Sequence, residues 1–247
     1  MKNSSKKFYS TVMVILLLIS MFFSGVTVDA KQVSNKDNAR HVIVIDPGCQ
    51  ANKATKKESN APGEWKRVSE DAVGAKGVST NNNEYDINLL VALAVKKKLD
   101  EKGYTVELTR TTNDVNLTNV DRSMVATTLS ADIYISIHAS SKNKDDEGIA
   151  VVCGTKDNPS NFGQYPNSRL LADTLVGSLV EKAAPKKYKV YETDELMGIN
   201  WCTVPNVVVE IGNMNNPDDD EKLADIDYQD KLADGIVAGV DSYFSQR

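Results

Sequence analysis

Residues 42–45, Val-Ile-Val-Ile, run without a polar break into Asp46-Pro47-Gly48, and residues 207–209, Val-Val-Val, run the same way into Glu210. Uninterrupted β-branched runs of this kind read as strands covered on both faces, because a strand with one wet face alternates apolar and polar side chains. Covering both faces takes helices, and helical patterns lie between the runs. Ile87, Leu90, Val91, Ala94, Val95 and Leu99 mark one apolar helical face after the capping residues Asn81-Asn82-Asn83, and the pattern stops at Gly103. Strand–helix alternation with right-handed crossovers gives a single α/β domain: a mostly parallel twisted sheet with helices on both faces.

The remaining elements follow the same logic. Residues 104–109 read as a strand. Leu117, Val120, Met124 and Thr128 mark a second helix. Ile133, Ile135 and Ile137 alternate with Tyr134, Ser136 and His138 in a third strand. A short strand at 148–153 leads through a Pro/Gly/Asn loop to a helix at 167–183, and a charged connector then reaches the strand at 206–211. The chain closes with a short acidic helix at 221–224 and a last helix at 228–244. Asp218-Asp219-Asp220 reads as a solvated helix start. Residues 50–83 form a long polar loop, either a functional lip or a disordered segment, and on such a lip Trp65 either stacks on a sugar or pins the loop.

The N-terminus stands apart from this pattern. Lys2, Lys6 and Lys7 precede a charge-free apolar run at residues 12–28, and Val28-Asp29-Ala30 has the small residues of a cleavage site. Residues 1–30 read as a secretory signal peptide; the alternative is an uncleaved signal anchor, since the run approaches the ~20 residues that span a bilayer. Residues 31–40 are a polar lead-in and 41–247 the folded domain. Setting aside the leader's three lysines and one aspartate moves the net charge from -5 to -7, which does not suit a nucleic-acid backbone. Three cysteines are too few for a disulfide framework; Cys153 and Cys202 sit among apolar residues and read as buried free thiols.

In an open parallel sheet, ligands bind where strands end and the next helices begin. Cys49 lies just past the first strand, Glu84 at the start of the following helix, His138 at the end of the third strand and Glu210 at the end of the Val-rich one. Each has an ordinary reading alone: Glu84 as an acid favoured by a helix dipole, His138 as a core histidine, Glu210 as a buried carboxylate held by an arginine. Cys49 is compatible with nucleophile, ligand or filler. Gathered on one rim, the four point to a metal or acid/base site.

The motifs, in order, are Val44-Ile-Asp-Pro-Gly48, Glu84 opening a helix, Leu108-Thr-Arg110, Arg122, Ser136-Ile-His138-Ala139 and Val209-Glu210-Ile-Gly212. This series resembles the zinc-dependent N-acetylmuramoyl-L-alanine amidases of the family-3 type over nearly the whole chain after the leader. A Gln after the metal position and the Gly-Ile-Asn-Trp-Cys segment at 198–202 resemble one subgroup. The resemblance implies hydrolysis of the amide between N-acetylmuramic acid and the first L-Ala of the peptidoglycan stem, by a secreted protein at the cell wall or surface of a bacterium. It implies Zn2+ held by position 49, Glu84 and His138, with Glu210 as the catalytic carboxylate.

Position 49 departs from the family's histidine, and the other histidine, His41, lies at the far end of the same strand. Cys, Glu and His are all ordinary zinc ligands. A thiolate in place of a neutral imidazole makes the first coordination sphere neutral overall, which weakens the activation of water. Two alternatives to a slow zinc amidase follow: a peptidoglycan-binding module with little or no activity, and a thiol hydrolase using Cys49 with His138. The two glutamates argue against the latter, because a reactive thiolate needs positive surroundings. Arg110 and Arg122 read as anchors for carboxylates near the rim, with Arg110 also able to orient a substrate carboxylate, and Asp46 as a turn residue able to support a ligand. A membrane enters only through an uncleaved leader, and the oligomeric state is open.

Overall fold

The computed structural model describes residue 38 and residues 40–68, 73–140 and 143–247. The expected leader and most of the lead-in lie outside the described residues. Among the described residues, six strands form one sheet: β1 (Val42–Pro47), β4 (Thr105–Leu108), β5 (Ile133–Ser140), β6 (Ile149–Cys153), β7 (Tyr188–Glu192) and β8 (Asn206–Asn213), in the order β4-β1-β5-β8-β6-β7. β4, β1, β5 and β8 are parallel; β6 runs antiparallel to β8, and β7 parallel to β6. Ile43, Val44 and Ile45 are fully buried, as a strand between two layers requires.

Three long helices cover one face: α1 (Glu84–Glu101), α3 (Tyr165–Ala183) and α6 (Ile226–Ser245). Their apolar residues join Ile43, Ile45, Ile133, Ile135, Ile137, Val207 and Val209 in the main core. The other face carries α2 (Asn119–Thr128) and the single turn α4 (Met197–Asn200) over a smaller cluster of Val44, Ala126, Tyr134 and Cys202. The single-domain α/β architecture with helices on both faces matches the sequence reading. Among the described residues, no helix is long and apolar enough to cross a membrane.

The differences have physical causes. On α1, Leu90 is half exposed, while Glu84 and Asn88 are buried. The inward stripe therefore runs 84, 87, 88, 91, 95 and 99, turning polar where it meets the rim. The connector expected between α3 and β8 contains β7 and α4; the Tyr-Lys-Val-Tyr-Glu strand is an edge strand, charged enough to read as linker.

The 50–83 segment contains a small ladder, β2 (Glu58–Ser59) paired with β3 (Arg67–Val68). Glu58 accepts the backbone N–H groups of Asn119 and Val120, placing a carboxylate on the N-terminus of α2. Trp201, whose indole donates to the Ser59 carbonyl, helps tie this segment down, whereas Trp65 is 97% exposed. The Asp218–Asp220 run is not a solvated start. Only Asp218 faces water; Asp219 accepts from the Gly148 and Asn213 N–H groups, and Asp220 from those of Ser79 and Thr80. These carboxylates fix three loops near the first turn of α5 (Pro217–Leu223).

Candidate active site

The site begins with how β1 ends. Asp46 is 2% exposed and accepts hydrogen bonds from the Tyr134, Ser136 and Thr109 hydroxyls, while its Oδ1 pairs with Arg122 Nη1 at 2.7 Å. Burial pushes its carboxyl upward, but the Arg122 guanidinium and the Thr109 and Ser136 hydroxyls outweigh burial and hold it down to about 2. Arg122 also donates to the carbonyls of Pro47 and Cys49 and to Gln50 Oε1. Arg110, 3% exposed, donates to the carbonyls of Pro47, Gly48 and Tyr85. Two arginines thus bind every carbonyl from 47 to 49 and leave the loop little freedom. Arg110 is occupied with backbone and cannot orient a substrate, as the sequence allowed.

The fixed loop presents Cys49 with a backbone φ of +59°, a left-handed conformation that side chains other than glycine seldom adopt. Gly48 is needed for a different reason: a Cβ there would lie 2.1 Å from His138 Nε2, so the imidazole lies directly against this backbone. His138 Nδ1 is 3.8 Å from Cys49 Sγ and 3.1 Å from Glu84 Oε1, and one donor atom from each of the three residues lies within 4.8 Å of the others. Ligand bonds of 2.0–2.3 Å in a tetrahedron put donor atoms about 3.3–3.8 Å apart. Two of the three separations, 3.8 and 3.1 Å, are close to that span, and the donor set has the chemistry of a metal site.

Glu84 is oriented by its surroundings. Its Oε2 accepts the Ala75 N–H at 2.8 Å; its Oε1 accepts the Ala139 N–H at 3.2 Å and the Asn88 amide at 3.4 Å. Gly74, with φ +77°, closes against the trio so tightly that a Cβ would stand 2.6 Å from both Cys49 Sγ and Glu84 Oε2. Burial pushes the Cys49 thiol up. Burial also opposes the His138 charge, but the adjoining Cys49 and Glu84 outweigh it and hold His138 well above the usual imidazole range. Glu84 is driven below the usual carboxylate range, because His138 and the Ala75 N–H outweigh its burial.

Glu210 is His138's partner in the register of β5 and β8, one strand away at about 4.8 Å between backbones. Partners in register project to one face, so the carboxylate and the imidazole stand side by side. Tyr191 of β7 donates its hydroxyl to Glu210 Oε1 at 2.9 Å, and Glu210 forms one wall of a cleft of about 430 Å³. All four rim residues singled out from the sequence thus stand at one end of adjacent elements. His41 is at the other end of β1, stacked on Phe244 at 4.0 Å between ring centres. Cys153 and Cys202 are free and fully buried, as expected.

The family model for N-acetylmuramoyl-L-alanine amidase matches residues 43–242. The chain belongs to this amidase family. It is 36% identical over 163 residues to the uncharacterized protein YqiI of Bacillus subtilis, covering 66% of this chain and 75% of that one. It is 29% identical to the probable cell wall amidase LytH of Staphylococcus saprophyticus over 69% of this chain, but spans only 55% of that relative's length. Among solved structures, an N-acetylmuramoyl-L-alanine amidase from Clostridium difficile superimposes with a TM-score of 0.69 at 26% identity, over 84% of this chain and 98% of that one. The amidase Ami1 of Mycobacterium smegmatis shares the fold with a TM-score of 0.76 at 22% identity, over 85% and 99% of the two chains.

Within this amidase-family chain, sequence reading missed four contributors to the site. Asn88 was visible one helical turn after Glu84 and could have been placed beside it. Tyr191 could not, because its strand read as linker. Gly74 and Ala75 act through backbone, which no side-chain motif announces.

Proposed function

We propose that the chain is a peptidoglycan hydrolase that cleaves the amide between N-acetylmuramic acid and the L-alanine of the stem peptide. The observation that carries this reading is the meeting of Cys49, Glu84 and His138 beside Glu210 in a chain of the amidase family. Cys49, Glu84 and His138 would hold Zn2+, a set of three protein ligands that leaves a position open. When bound there, zinc supplies Lewis-acid polarisation of the lactyl carbonyl and activation of water.

The chain's own residues do the rest. Glu210 takes the proton of the attacking water and delivers it to the departing alanine nitrogen, with the Tyr191 hydroxyl donating to one of its carboxylate oxygens. The Ala75 and Ala139 N–H groups and the Asn88 amide hold Glu84 in its ligating orientation. Arg110 and Arg122 pin the Cys49 loop, so the shorter reach of a thiol is met by a fixed backbone. The leader and the cell-wall relative support action outside the cytoplasm, at the wall.

Glu210→Gln tests the assignment: release of stem peptide from purified wall should fall by about 10²- to 10⁴-fold with zinc content unchanged. Unchanged release would remove Glu210 from the mechanism. Binding to insoluble wall without any release by the zinc-loaded wild type would favour the non-catalytic reading instead, for which Cys49 is the one supporting feature.

A further inference from the structure

The transverse row that carries His138 and Glu210 does not end there. Glu210 pairs in register with Ala150 of β6, and Ala150 with Lys189 of β7, so His138, Glu210, Ala150 and Lys189 share one face across four adjacent strands. At about 4.8 Å per strand, the backbones of Glu210 and Lys189 are about 10 Å apart. The only side chain between them in the row is the methyl of Ala150. This leaves a floor between a carboxylate and an ammonium group, and both line the same cleft.

The lysines of that cleft are not equivalent. Lys186 pairs with Asp218 at 2.8 Å and Glu147 at 3.4 Å, and Lys187 pairs with Glu147 at 3.5 Å. Lys189 has no ion-pair partner among the described residues. Its Nζ lies 5.1 Å from the ring centre of Tyr191, the same tyrosine whose hydroxyl holds Glu210. On a chain of net charge -5, this uncompensated cation stands at the far end of the row from the metal trio.

We propose that Lys189 is a specificity-determining residue that receives a carboxylate of the peptide being cut. This rests on the amidase reading above. Once the lactyl acid is tied up in the amide, a free carboxylate must come from the peptide side. From His138 to Lys189 the row crosses three strand spacings, about 14 Å, and an extended chain advances 3.3–3.6 Å per residue, so that carboxylate lies about four residues from the cleaved bond. Glu210 repels the acid and Lys189 attracts it, and this orients the peptide along the row with its scissile end at His138.

The test uses two soluble muropeptides, identical except that the stem carboxylates are free in one and amidated in the other. The wild type should show a KM about two- to fivefold lower for the acidic stem, the span of a solvent-exposed charge pair. Lys189→Met should erase that preference by raising KM for the acidic stem at constant kcat, and Lys189→Arg should keep it. Equal KM values in the wild type, or an equal rise on both substrates in Lys189→Met, would overturn the proposal. If neither substrate is cut, the amidase reading fails by itself. Titration calorimetry with the same two ligands then decides the role of Lys189: tighter binding of the acidic stem that Lys189→Met removes supports it, and no difference overturns it.

Discussion

The two ends of the row are built to opposite specifications. At the β1–β5 end, the carbonyls of 47–49 are bound by Arg110 and Arg122, Asp46 is buried under four donors, and Gly48 and Gly74 press against the trio without room for a Cβ. At the β6–β7 end, Tyr188 is 58% exposed, the lysines reach into a cleft, and the row floor is a single methyl group. The difference separates two jobs: the first end must hold donor atoms to within tenths of an ångström, and the second must admit substrates that vary.

Substitutions at the rigid end should therefore cost more than substitutions at the open end. After the loss of turnover in Glu210→Gln, the largest expected effect is that of Asp46→Asn, which leaves Arg122 as an uncompensated buried charge and should destabilise the fold by about 3–5 kcal/mol. Denaturant midpoints measure this; a loss below about 1 kcal/mol would mean that the corner is not locked by this pair. Gly74→Ala places a strained Cβ at φ +77°, costing about 1 kcal/mol of stability, and should move the Ala75 N–H away from Glu84, lowering zinc affinity about 10- to 100-fold in a competition titration. Unaltered affinity would show that the 73–76 backbone merely rests on the trio.

The same corner gives the fold an acid limit. A free aspartate side chain titrates at 3.8, whereas Asp46 in the folded protein titrates at about 2. Between these values the unfolded chain binds the proton first. The pair accordingly contributes about 2 kcal/mol above about pH 5, and this is lost as pH falls through 4 towards 2. Stability measured across that window should decline in the wild type and decline less in Asp46→Asn; parallel curves would contradict the assignment. Smallest of all is the severalfold KM change expected at Lys189, at the open end.

The fold was legible in the sequence wherever burial is two-sided. The runs at 42–45 and 207–209 have no polar break, and the structure buries them between helical layers. Legibility fails where charge sits on an edge. β7 carries Lys189 and Glu192 within five residues, and its pattern is that of a solvated linker until a sheet neighbour is known. It fails again at Asp219 and Asp220, because a buried aspartate that accepts loop N–H groups has the same letter as one in water. The four rim residues were readable because strand ends in a parallel sheet share an edge. The partners that orient them were not, since Tyr191 and the Ala75 N–H come from segments whose position only the folded chain defines.

The proposed zinc site is completed by a thiol at position 49, and metal content measures it directly. The purified chain, reconstituted and dialysed, is expected to retain stoichiometric zinc that Cys49→Ala loses, with stem-peptide release following the metal. A wild-type chain that retains no zinc, while Cys49→His gains both metal and wall hydrolysis, would contradict it.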